Sequence, residues 1–109
     1  MAYDVELADR LRDILAAEPE VTEKRMFGGL AFMVAGHMAL AATRGGLMLR
    51  VDPDQSETLL LDPQATRMVM QGRELAGWLL IDVNASATDE DLTRWVDLGV
   101  DYAHSLPPK

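Results

Sequence analysis

From Lys24 to Val51 the chain runs for 28 residues without a single Asp or Glu, and glycine cuts that stretch into short apolar runs. The cuts fall at Gly28-Gly29, Gly36-His37 and Arg44-Gly45-Gly46. Apolar runs bounded by glycine read as strands, and successive runs a few residues apart read as hairpins. The spacing predicts strands over 23–27, 30–35, 38–43 and 47–51, joined as an antiparallel meander. Gly36-His37 predicts a two-residue type II′ turn, with glycine taking the positive φ of its first position. Residues 30–35 and 38–42 lack the polar alternation of a strand with one wet face. Such strands have both faces covered, or present one face to a partner.

Helical periodicity brackets this block. Leu7, Leu11, Ile14 and Leu15 recur at helical spacing within 4–18, with Asp4 and Glu6 at the positive end of the dipole and Pro19 as the stop. Asp52 caps a short helix that has Pro53 at its first position, Leu59, Leu60 and Leu61 as anchors, and Pro63 at its end. Residues 67–71 and 78–83 predict two more strands, with Gly72 and Gly77 in the loop between them. The last helix opens at Thr88 and Asp91, a capping pair, with Asp89 and Glu90 in its first turn. Leu92, Trp95, Val96, Gly99 and Ala103 follow along one face. The order is α-β-β-β-β-α-β-β-α, which predicts an α+β fold: an antiparallel sheet, a meander plus a second hairpin, flanked by helices. A chain of 109 residues fits one domain spanning 1–109.

Composition narrows the functional classes. The net charge is −8, which as a whole repels phosphate backbones and sets an expectation against direct nucleic-acid binding. There is no cysteine, so disulfides and thiol catalysis are out. The apolar stretch from Met26 to Ala42 is interrupted by glycines and His37, and falls short of the roughly 20 residues a membrane helix needs. No basic leader opens the chain. A cytoplasmic protein away from the membrane is expected.

The residues give little basis for catalysis. No serine sits in a Gly-x-Ser-x-Gly elbow, and no glycine-rich loop has phosphate-cradling spacing. His37 and His104 lie far apart and frame no metal site. Asp52-x-Asp54 and Asp89-Glu90-Asp91 coincide with helix starts, where acids are expected for capping and dipole reasons. His37 reads as a solvated turn residue and His104 as a compensator of a helix C-terminus. No catalytic residue, metal or cofactor is expected.

Arg25-Met26-Phe27-Gly28-Gly29 is the candidate recognition segment. Arg25 offers a planar five-donor fork for a carboxylate or phosphate, and Gly28-Gly29 admits close backbone approach. The same residues also read as a tight turn with Phe27 in the core and Arg25 in solvent, and both readings stand. Arg44 and Arg50 extend the acid-free block as partner-facing cations, unless helix acids neutralise them. Trp78 is a candidate aromatic anchor, or equally a core residue at a strand start. Met26, Met33, Met38, Met48, Met68 and Met70 fall on predicted strands, where methionine fills a core or lines an adaptable contact surface.

The run Arg25-Met-Phe-Gly-Gly-Leu-Ala-Phe-Met-Val-Ala-Gly-His-Met38, with Leu47-Met-Leu-Arg-Val51, Gly77-Trp78 and Ser105-Leu-Pro-Pro-Lys109, resembles the N-terminal domain of the TfoX/Sxy family across nearly the whole chain. The resemblance implies an antiparallel sheet flanked by helices, similar to secretion-chaperone-like folds and often dimeric. Longer members regulate natural competence, alongside a cyclic-AMP receptor-type activator, and carry a second, C-terminal domain that these 109 residues do not include. The expected function is therefore that of a non-catalytic regulatory or adaptor homodimer with a protein partner. The alternatives are a small-ligand binder or enzyme with a cleft near Arg25 and Trp78, and a nucleic-acid binder.

Overall fold

The computed structural model describes residues 4–26, 28–83 and 88–107. The elements follow the predicted order: α1 (Val5–Leu15), β1 (Val21–Met26), β2 (Gly29–Val34), β3 (His37–Thr43), β4 (Gly46–Arg50), a 3-10 turn (Pro53–Gln55) leading into α2 (Ser56–Leu59), β5 (Ala65–Met70), β6 (Arg73–Ile81) and α3 (Asp89–Ser105). The six strands form one sheet in the order β1-β2-β3-β4-β6-β5, antiparallel throughout. None of the described helices is long and apolar enough to cross a membrane.

α1, α3 and the Pro53–Gln55 turn ahead of α2 each begin where a side chain satisfies an otherwise unpaired N–H. The Leu7 N–H donates to Asp4 Oδ1 (3.0 Å), that of Asp54 to Asp52 Oδ1 (2.9 Å), and that of Asp91 to Thr88 Oγ1 (3.1 Å), as helix N-termini require. The apolar stripes of α1 (Leu7, Ala8, Leu11, Leu15) and α3 (Leu92, Trp95, Val96, Val100, Ala103) pack on one face of the sheet against Leu30, Phe32, Val34, Leu40, Ala42, Leu47, Leu49, Leu79 and Ile81. α2 covers less than its leucines suggest. Leu59 and Leu60 touch the core, but Leu61 is 82% exposed, because the helix ends at Leu59, before the chain turns past Leu61.

The opposite face carries a second, smaller cluster. Ala31, Met38, Ala41 and Met48 are buried there, with Met33, Met68, Leu75 and Trp78 partly covering them. No described helical residue joins this cluster. With both faces of β3 buried, the uninterrupted apolar pattern of residues 38–42 has its explanation.

Two turns differ from expectation. Val34 pairs with His37, so the β2–β3 turn centres on Ala35 (φ 52°) and Gly36 (φ 85°). Positive φ at both positions is the type I′ form, whose twist suits a hairpin, rather than type II′ on Gly36-His37. The shift carries His37 out of the turn and into β3. It is 8% exposed, and its Nε2 lies 2.5 Å from the Pro107 carbonyl oxygen. The predicted solvated turn histidine is thus a buried tether for the chain beyond α3. The β5–β6 connection is likewise a tight turn, on Gln71 (φ 52°) and Gly72 (φ 77°). Gly77 lies inside β6 rather than in a loop. β6 therefore begins at Arg73, five residues earlier than the apolar run indicates.

β1 is an edge strand whose residues 21, 23 and 25 share a face with Val34, Phe32 and Leu30. Glu23 accepts from Arg12 Nε (2.8 Å) and NH2 (2.9 Å), a two-pronged clamp between β1 and α1. These hydrogen bonds, helped by the guanidinium charge and opposed by partial desolvation, hold the Glu23 carboxyl below the usual carboxylate range.

Candidate partner-binding site

β6 bends where its pairing breaks. Arg67 pairs with Leu79, but two residues later Val69 pairs with Glu74, so Leu75 to Trp78 have no register partner on β5. Gly77 makes the bend possible. Its φ is +78°, and a Cβ there would lie 3.0 Å from the Val51 carbonyl oxygen; its own carbonyl accepts the Val51 N–H at 2.8 Å. The bend leaves an open hollow of about 480 Å³ lined by Gln71, Arg73, Glu74, Leu75, Ala76 and Trp78.

Trp78 is half-buried and pairs across the sheet with Arg50, the last residue of β4. From that strand end Arg50 reaches aromatic rings of two elements. Its guanidinium carbon lies 5.6 Å from the centroid of the Trp78 ring on β6 and 5.5 Å from that of Tyr102 on α3, both within cation–π range. A second hollow of about 300 Å³ lies between α3 and the Pro53–Gln55 turn, lined by Val51, Asp52, Gln55, Leu98, Asp101, Tyr102 and Ser105.

The candidate residues do not all gather here. Arg25 is exposed on β1 and forms no ion pair among the described residues. It lies in the row Arg25–Leu30–Ala42–Leu47–Ile81, three residues along the strands from the Arg50–Trp78 pair. β1 and β6 are also four strand spacings apart, each about 4.8 Å. A single cleft near Arg25 and Trp78 therefore does not exist. Gly28 (φ +71°) is exposed in the β1–β2 turn. Gly29 begins β2, and a Cβ on it would come within 2.5 Å of the Ala42 carbonyl oxygen; the close backbone approach it admits is that of neighbouring β3. Met26 pairs with Gly29 at the end of β1, and Phe27 lies outside the described residues. Arg44 is exposed in the β3–β4 turn and has a contact of its own within the fold.

Ion pairs among the described residues include Arg10–Asp89, Arg12–Asp9, Arg12–Glu23, Arg67–Glu57, Arg67–Glu74 and Arg94–Asp62. Helix acids thus pair chiefly with arginines outside the acid-free block, and Arg50 keeps aromatic neighbours. His104 Nε2 meets Glu18 Oε1 at 2.5 Å, linking the end of α3 to the segment after α1. Tyr102, Arg73 and Leu75 were not legible as site residues. Tyr102 reads from sequence as an ordinary helical position, and only the packing of α3 across the end of β4 brings it to Arg50.

A family model for the TfoX N-terminal domain matches residues 13–103, and that span includes every strand and both rings beside Arg50. The chain belongs to the TfoX N-terminal domain family. Neither the curated proteins nor the solved structures contain a match to it. In this TfoX-family chain Arg25 and Met26 make the end of β1, Gly28 lies in the turn and Gly29 starts β2, while the aromatic-flanked arginine stands at the far end of β4.

Proposed function

We propose that this TfoX-family protein is a non-catalytic regulatory adaptor of the cytoplasm that acts by protein–protein contact, as a homodimer that engages a further protein partner. The observation that supports this best is the sheet face opposite the helices. Met33, Met68, Leu75 and Trp78 stay partly exposed there over the buried Met38 and Met48, with no described helix packed on them. Unbranched thioether side chains adapt to irregular partners, and a tryptophan at the rim supplies an anchor. The expected result is self-association of the wild type in light scattering, and capture of a specific protein from native lysate. Met33→Glu, which puts a charge on that face, loses both, while Arg25→Ala on the β1 edge keeps them. A wild type that stays monomeric and retains no specific partner overturns the reading, as does a Met33→Glu protein that behaves as the wild type in both assays.

A second reading, a small-ligand binder, draws on the hollow beside Trp78; a metabolite that raises the melting temperature of the wild type but not of Trp78→Ala would favour it. Nucleic-acid binding draws less support, because Arg25 and Arg50 stand at different ends of the sheet and the net charge is −8.

A further inference from the structure

We propose that Arg50, held between Trp78 and Tyr102, is the receptor for a side-chain carboxylate of an acidic peptide segment, and that the hollow beside Trp78 takes the apolar residue next to that carboxylate. The proposal rests on the protein-contact reading above and names the chemistry the partner brings.

The argument starts from what a guanidinium needs. Its five N–H donors lie in one plane and have no acceptor role. Rings at 5.6 Å and 5.5 Å attract its charge but accept none of those in-plane hydrogen bonds. No described residue accepts a hydrogen bond from Arg50 or pairs with it. A half-buried arginine in this state is oriented by its stacking partners and still has donors to offer. The planar group that matches two adjacent N–H donors is a carboxylate, bound through two parallel hydrogen bonds.

Most of the neighbouring acids are committed elsewhere. Glu74 pairs with Arg67 at 3.2 Å, and Asp52 accepts the Asp54 N–H at 2.9 Å. Asp101 is exposed and lines the second hollow together with Tyr102, and no ion pair joins it to Arg50 among the described residues. Arg73, exposed on the wall of the first hollow, adds a positive charge on the Trp78 side. That hollow, at about 480 Å³ with Leu75, Ala76 and Trp78 in its wall, is within the size range of binding pockets. Its lining is mixed, with Gln71, Arg73 and Glu74 beside Leu75, Ala76 and Trp78, and the apolar part of it next to the cation suits an acidic residue followed by an apolar one.

The test is titration calorimetry on the intact protein with three probes: the N-acetylated, C-amidated peptide Glu-Glu-Phe-Glu, its Gln-Gln-Phe-Gln counterpart, and inorganic phosphate. The acidic peptide is expected to bind saturably and the amide counterpart not. Arg50→Lys keeps the charge but loses the planar fork, and is expected to weaken the peptide about tenfold, the worth of one charge-assisted hydrogen bond. Arg73→Gln, at an exposed position of low risk to folding, weakens it severalfold. Arg25→Ala leaves it unchanged. Melting temperatures check that each variant folds. A wild type that ignores the acidic peptide, or an affinity that neither Arg50→Lys nor Arg73→Gln moves, overturns the proposal. Phosphate binding tighter than the peptide overturns the peptide assignment. If Arg50→Lys captures the same lysate partner as the wild type, the contact function survives and this site falls; if Met33→Glu keeps both the partner and self-association, the contact function falls whatever the peptide does.

Discussion

Gly99 in α3 is under two opposed pressures. In a helix interior, alanine is favoured over glycine by about 1 kcal/mol. A Cβ at Gly99, however, would lie 2.7 Å from Leu49 Cδ1 and 2.8 Å from the Ala39 carbonyl oxygen. The leucine tip can swing aside, but a carbonyl fixed in a strand cannot. Gly99→Ala is therefore expected to destabilise by a net of about 1–3 kcal/mol, the range of overpacked cores. A lower urea midpoint at unchanged slope would show it, and a raised midpoint would mean that α3 lifts off the sheet at little cost. His37 teaches the matching lesson about register. A turn one residue earlier than expected moves His37 out of the turn and into β3, a strand buried on both faces. His37→Ala is expected to free the segment around Pro107, read as faster proteolytic trimming there with little change in melting temperature.

Between elements, the clamp of Arg12 on Glu23 joins α1 to the edge strand β1. Both side chains are about two-fifths exposed, at 41% and 39%, so salt weakens the pair and its contribution is small. Its pH dependence has a definite sign. The Glu23 carboxyl titrates lower in the folded chain than in the unfolded one, so the stabilisation is fully present above the ordinary glutamate pKa of about 4.3. It fades as pH falls from there through the folded value. Glu23→Gln should flatten that part of the stability–pH curve and leave the neutral side nearly parallel to the wild type. Chemical denaturation at a series of pH values measures this, and an unaltered acid limb would show that the clamp does not form in solution.

For the molecule as a whole, burial predicts a hierarchy of opening. β3 sits mid-sheet with both faces covered, whereas β1 and β5 are edges. Local opening free energies follow buried contact. Amides of 38–42 are expected to exchange slowest, through global unfolding alone, and those of β1 and β5 faster. Hydrogen exchange read by mass spectrometry tests the ranking; equal protection of β1 and β3 would contradict it.

Local chemistry set much of this in advance. Asp52 and Thr88 announce their helix starts because a cap is satisfied within three residues, and Asp4 and Glu6 mark the first helix through its dipole. Glycine-bounded apolar runs announce the meander because strand and turn preferences act over short spans. The same locality explains what stayed hidden. Arg25 and Trp78 looked like parts of one cleft, yet strand order puts them four strands apart. Arg50 gave no sign of aromatic neighbours, because Trp78 lies 28 residues away and Tyr102 52. Their meeting depends on β6 pairing with β4 and on α3 crossing the end of that pair, contacts whose register no short-range pattern encodes. The sequence by itself determined which segments become strands and helices. Only the tertiary structure decided which side chains share a surface, because that is set by long-range strand order and by how the helices lie across it.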